Sequence, residues 1–166
     1  MRKESQMTKK EINLLTVKWL IDNYKITVDA ALLYVVAEEG NRDLCEAFLE
    51  CGINPNLVEG DDDSALHIAA WNTHKEVVQL LLKFGANPNY LPHDNDDCFT
   101  PFDYAIQQGN LEIVKLMIEA GANVNRKVCN LFVWDADYAE MNCCKGKAFD
   151  SVIAYVKEVA ERQKKK

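Results

Sequence analysis

The chain has 166 residues, 48% of them hydrophobic, and a formal net charge of −7 at pH 7. That length suits one domain, and that composition excludes a wholly disordered chain. The longest unbroken apolar run, Ala30–Ala37, is eight residues, far short of the ~20 a membrane helix needs. The opening MRKESQMTKKE has no apolar segment behind its positive charge. No secretory signal and no membrane association are therefore expected, and the location expected is cytoplasmic.

In chain order, TKKEINLLTVKWLIDNY begins with the capping-box pair Thr8 and Glu11 and places Ile12, Leu15 and Trp19 on one face. A helix over 7–26 is expected, acting as an N-terminal cap. ALLYVVA (Ala31–Ala37) follows, and then NRDLCEAFLECG, whose Leu44, Cys45, Phe48 and Leu49 recur at helical spacing. SALHIAA (Ser64–Ala70) leads into HKEVVQLLLKFG, and TPFDYAI (Thr100–Ile106) leads into NLEIVKLMIEAG. Asn41, His74 and Asn110 stand where a helix N-cap belongs. Thr100, Pro101 and Asp103 form a capping-box start with proline at the first helical position.

Each second segment ends in nearly the same phrase: GINPN at Gly52–Asn56, GANPN at Gly85–Asn89, GANVN at Gly121–Asn125. Glycine supplies the left-handed residue that closes a helix, and Asn and Pro favour the turn after it. The three glycines are 33 and 36 residues apart, a period that points to a stack of similar units.

TPFDYA and SALHIAA, each followed by a second helix ending in GANPN or GANVN, resemble ankyrin repeats. The resemblance implies an all-α solenoid of helix-turn-helix units with short hairpin-like fingers and helical caps. Its units are expected at 27–56, 57–89 and 90–125. A degenerate fourth unit with a C-terminal cap is expected over 126–162, where WDADYAEMNCCKGKAFDSVIAYV echoes the pattern through Asp137, Tyr138 and Ala139. There Trp134 replaces the capping Thr, and Phe149, Val152, Ile153, Val156 and Val159 share a face.

The resemblance also places fingers between units. Leu57–Asp63 (LVEGDDD) carries four acids and Tyr90–Phe99 (YLPHDNDDCF) three, which together equal the net charge of the chain. Arg126–Val133 (RKVCNLFV) is basic, then apolar. A charge run is ordinarily a solvated loop, but two adjacent acidic fingers repel each other, and a cationic partner relieves that repulsion. In ankyrin-like stacks the exposed residues of each first helix line a groove beside the fingers. The candidate partner-binding residues are therefore Glu38, Glu39, Asp61, Asp63, Trp71, Asn72, Asp94, Asp96, Asp97, Phe99, Gln107, Gln108, Leu131, Val133 and Met141. Trp71 has two open readings, a packed core residue or an interface anchor.

No nucleophile–base pair, Gly-rich phosphate loop or metal-ligand spacing is evident, and the acidic runs lack the EF-hand pattern. The six cysteines show no C-x-x-C spacing and are expected to be reduced thiols. The ankyrin resemblance gives His67 a structural role in bonds between units. The acidic fingers disfavour nucleic acid. The expectation is a non-enzymatic, cofactor-free binding module, monomeric when free, that inhibits or sequesters a basic protein in the manner of immunity proteins. The alternatives are a scaffold subunit of a larger assembly and an ankyrin-only regulator of kinase-inhibitor type. An enzyme would instead lose activity on changing His67 or Cys143.

Overall fold

The computed structural model describes residues 7–24, 30–58, 63–92, 98–125 and 147–165. They form eight helices and no strand: α1 (Lys9–Tyr24), α2 (Ala30–Glu38), α3 (Arg42–Glu50), α4 (Ala65–Trp71), α5 (Lys75–Lys83), α6 (Pro101–Gln107), α7 (Leu111–Glu119) and α8 (Lys147–Lys164). Helices α2, α4 and α6 pack side by side as a first row, and α3, α5 and α7 as a second row behind them. Each first-row helix also packs on the second-row helix that follows it.

Local sequence explains the starts and stops. Asn41 Oδ1 accepts the Leu44 N–H at 3.2 Å, and Asn110 Oδ1 accepts that of Ile113 at 3.2 Å. These side chains satisfy N-terminal amides that the helix itself cannot. Thr100 and Asp103 close a reciprocal capping box in which the Asp103 carboxylate accepts from Thr100 N–H and Oγ1–H, both at 2.8 Å. His74 departs from the expected pattern. It stands at the N-cap position of α5 but makes no side-chain cap bond. Its Nε2 instead donates to the Glu38 carbonyl, 2.9 Å away in the preceding unit.

The core runs between the rows through Leu33, Ala37, Leu66, Ala70, Val78, Leu81, Phe102, Ile106, Ile113 and Met117. Small residues at Ala69, Ala70 and Ala105, all fully buried, let the first-row helices approach closely. The GxNxN phrase has a second task besides ending its helix. Asn56 donates to the Gly85 carbonyl (2.8 Å) and accepts from Asn87 N–H (2.7 Å); Asn89 repeats this with Gly121 (3.0 Å) and Asn123 (2.7 Å). Asn125 continues the ladder onto Gln163 of α8 at 3.3 Å. The last Asn of each phrase therefore ties its unit to the next.

The two terminal helices differ. Helix α8 packs on both α6 and α7 and buries Phe149, Val152, Val156 and Ala160, while Lys115 of α7 lies 5.3 Å from the Tyr155 ring centroid. Helix α1 packs on α3 with the face opposite to the expected one. Val17 is buried and Leu14 and Ile21 half-buried, whereas Ile12, Leu15 and Trp19 are 50%, 53% and 54% exposed. The rotation follows from Lys10, which shares the Leu14–Val17–Ile21 face and bridges Glu46 (3.0 Å) and Glu50 (2.8 Å) of α3. Lys9 pairs with Asp43 at 3.4 Å. Glu46 is pushed upward by burial, but Lys10 and Arg42 outweigh that and hold its carboxyl below the usual range.

Candidate functional site

The exposed edge of the first row is built from equivalent positions. Gly40, Thr73 and Gly109 all take positive φ, 68°, 59° and 68°, just past the three first-row helices, and so set the register between units. Counting back from them aligns Glu38, Trp71 and Gln107; Glu39, Asn72 and Gln108; and Val35, Ile68 and Tyr104. Glu38, Glu39, Trp71 and Gln108 are exposed, and Asn72, Tyr104 and Gln107 are half-buried. Trp71 is 43% exposed, and Asn72 Nδ2 donates to the Glu38 carbonyl at 3.4 Å. The first-row sequences AALLYVVAE, ALHIAAW and PFDYAIQ contain no Lys or Arg. Second-row helices carry Arg42, Lys75, Lys83 and Lys115, and Lys75 pairs there with Glu112 at 2.6 Å. Among the described repeat helices, cations thus stand on the second row and not on the first.

Aromatic residues meet where the finger roots reach this edge. The Tyr104 ring stacks with Phe99 (centroids 5.9 Å apart, planes 18°) and makes edge contacts with Trp71 (5.4 Å) and His67 (5.5 Å). Such pairs each add about 0.5–1.5 kcal/mol beyond area burial. Tyr90 meets the His67 ring at 5.8 Å. The Tyr104 hydroxyl donates to Asp63 Oδ2 at 3.1 Å. Burial, then the Asp63 charge, push the Tyr104 hydroxyl up to about 12, so it stays a donor at neutral pH.

His67 is fully buried beneath this cluster. Its Nδ1 accepts the Ser64 N–H at 3.0 Å, and its Nε2 donates to the Phe99 carbonyl at 3.2 Å. Both contacts fit the neutral ring, and a proton on Nδ1 would face the Ser64 N–H. Burial brings the imidazole down to about 4, against the opposing pull of Asp63 and the Phe99 carbonyl. The ring therefore ties the start of α4 to the root of the second finger and carries no charge at pH 7.

The fold brings Glu38, Glu39, Trp71, Asn72, Gln107 and Gln108 onto one edge and sets Asp63 and Phe99 against it through Tyr104. Asp61, Asp94, Asp96, Asp97, Leu131, Val133 and Met141 lie outside the described residues, as do the degenerate fourth unit over 126–146 and the Cys143–Cys144 pair. Two features escaped the sequence reading. Tyr104 is the hub of the aromatic cluster, and aligning TPFDYA on Gly109 rather than on its opening Thr would have placed it on the open edge. The missing cations of the first row were also legible, once the helices were compared row by row. Cys45 and Cys51 are free thiols, and burial pushes Cys45 up to about 12, too high for a reactive thiolate.

The family model described as ankyrin repeats (3 copies) matches residues 32–128. The chain belongs to the ankyrin-repeat family. Repeats of this family form protein–protein interaction modules and are in general non-enzymatic. No curated protein matches the chain. Among the described residues, no helix is long and apolar enough to cross a membrane.

Proposed function

We propose that this protein captures a basic protein partner along the exposed edge of α2, α4 and α6 and the adjoining acidic fingers, and thereby sequesters or inhibits it. The observation that carries this reading is the charge segregation. Glu38, Glu39 and Asp63 stand on an edge whose helices have no Lys or Arg, beside an exposed Trp71. An aromatic anchor on an acidic edge whose first-row helices carry no cation suits a cationic patch, both for steering the encounter and for the contact that follows. In this reading Asp61, Asp94, Asp96 and Asp97 contribute further negative charge to the capture of the partner, and Phe99, Leu131 and Val133 contribute apolar contact. Asn72, Gln107, Gln108 and Met141 supply the neutral remainder of the docking surface. In this reading the chain is organised as an N-terminal cap, three units and a degenerate fourth with a C-terminal cap. It acts in the cytoplasm as a free monomer, in the manner of an immunity protein.

The test compares the wild-type chain with a Glu38→Gln/Glu39→Gln/Asp63→Asn variant, each immobilised and exposed to lysate of the source cells at low and at raised salt. The expected outcome is retention of a basic protein by the wild type, lost in the variant and weakened by salt. Equal retention by both chains at low salt would remove the electrostatic basis of the reading. Stoichiometry of the recovered complex separates sequestration, one partner per chain, from a scaffold holding several partners at once.

A further inference from the structure

We propose that an arginine side chain of the partner protein lodges at Trp71, its guanidinium lying on the indole and forked onto the Asp63 carboxylate. The inference rests on the reading that a basic partner docks along the first row, and it names the group that enters and the place it enters.

Trp71 and Asp63 are held by the same phenol. The Tyr104 ring meets the indole at 5.4 Å, and the Tyr104 hydroxyl donates to Asp63 Oδ2 at 3.1 Å. Phe99 stacked on Tyr104 and His67 against its edge fix that ring, so the carboxylate and the indole are positioned before any partner arrives. Preorganisation of this kind lowers the ordering cost of binding.

The carboxylate is accessible, and no Lys or Arg among the described residues compensates its charge. The Asp63 side chain is 33% exposed, and its Oδ1 lies 3.8 Å from His67 Nε2. That ring is neutral at pH 7, because burial opposes its protonation. No Lys or Arg among the described residues pairs with Asp63. One oxygen receives the tyrosine hydroxyl, and the other makes no hydrogen bond among the described residues. On the opposite side of Trp71, its neighbour Asn72 contacts the Glu38 backbone, and Glu38 and Glu39 add negative charge there.

The geometry favours guanidinium over ammonium. A lysine head is a compact, strongly hydrated point charge that any surface carboxylate satisfies equally well. A guanidinium is planar and weakly hydrated, so it can stack on an indole while its edge donates to a carboxylate. A rigid aromatic face beside a rigid carboxylate uses both properties.

The experiment titrates the full-length, isotopically labelled chain with hexa-arginine and with hexa-lysine peptide at one low ionic strength. The Trp71 indole N–H resonance is identified by its absence in Trp71→Phe. The expected result is that hexa-arginine binds about fivefold more tightly than hexa-lysine and moves that resonance. Asp63→Asn, which keeps an oxygen for the Tyr104 hydroxyl, should abolish the preference, and Glu158→Gln on α8 should not. Trp71→Leu is the second variant: it should leave weak, equal binding of both peptides. Equal affinities with the indole resonance unmoved would overturn the arginine site while leaving the basic-partner reading in place. Binding of neither peptide would overturn both.

Discussion

Asn89, at the end of one GxNxN phrase, reaches the backbone of the next phrase and holds it at two points, donating to the Gly121 carbonyl at 3.0 Å and accepting the Asn123 N–H at 2.7 Å. Asn56 does the same one unit earlier with Gly85 and Asn87. In an open stack each unit is stabilised by its own fold and by its interfaces with neighbours. These asparagines are therefore interface residues that local sequence presents as turn formers.

Asn89→Ala should lower unfolding free energy by about 1–2 kcal/mol, because a two-point backbone clamp is lost. Asn89→Asp keeps the acceptor for Asn123 but turns a carboxylate oxygen onto the Gly121 carbonyl, and it should be no more stable than Asn89→Ala. Asn87→Ala loses the turn contact from Asn89 N–H to the Asn87 side chain (2.9 Å) but keeps its backbone bond to Asn56, and should cost about 1 kcal/mol or less. Urea unfolding of the three variants checks the order.

The buried His67 makes stability depend on pH in a defined window. Burial sets its folded value at about 4, against about 6.5 in an unfolded chain. Below pH 6.5 the unfolded state binds a proton that the folded state does not, so folding weakens as pH falls. The His67 contribution is fully present above pH 6.5. It should decline by about 2 kcal/mol by pH 5, with the remainder lost near pH 4. Glu46 and Glu112, held low by their lysine partners, weaken folding only at lower pH. Urea midpoints measured between pH 7 and pH 5 should therefore fall in the wild type and fall much less in His67→Gln.

The helices and their ends were legible because they depend on neighbours in sequence. Asn41, Asn110, Thr100 and the closing glycines act within three or four residues of themselves, and helical spacing marked Cys45, Phe48 and Leu49 of α3, which are buried. What was not legible depends on what is stacked alongside. Ile12–Leu15–Trp19 and Leu14–Val17–Ile21 are both helical stripes of α1, and only the carboxylates of Glu46 and Glu50 on α3, which engage Lys10, decide between them. His74 looked like a cap because its position is one; the carbonyl it serves belongs to Glu38, 36 residues earlier. Trp71 and Asp63 could be picked out singly, but that both touch Tyr104 follows from the packing of α4, α6 and the finger roots.

Gly40 has a role that Gly52, Gly85 and Gly121 lack. It takes φ 68°, and a Cβ there would lie 2.7 Å from the His74 ring. Gly85 also has positive φ, at 90°, but a Cβ there meets nothing within 4 Å. Gly85→Ala should therefore show backbone strain alone, about 1–2 kcal/mol. Gly40→Ala should cost more, because the imidazole must leave the Glu38 carbonyl. His74→Ala in the Gly40→Ala background should recover part of the loss, whereas in the wild-type background it should destabilise. Thermal unfolding of the four chains forms a double-mutant cycle, and additivity in it would mean that Gly40 and His74 act independently.

The attachment of α1 offers the last test. Its described contacts with α3 combine the buried Val17 and the half-buried Leu14 and Ile21 with Lys10 bridging Glu46 and Glu50 and Lys9 near Asp43. Side chains of Lys10 are half exposed, so salt should screen part of the attraction. Removing Lys10 nevertheless leaves two neighbouring carboxylates facing each other, one of them almost fully buried. Lys10→Ala should therefore lower amide protection in α1 without lowering it in α4–α7, a local opening rather than a global one. Hydrogen exchange resolved by segment measures this directly. Glu50→Gln should produce a smaller loss, because Glu46 still engages Lys10. Uniform loss of protection across all helices in Lys10→Ala would mean that α1 is integral to the cooperative unit rather than clipped to its end.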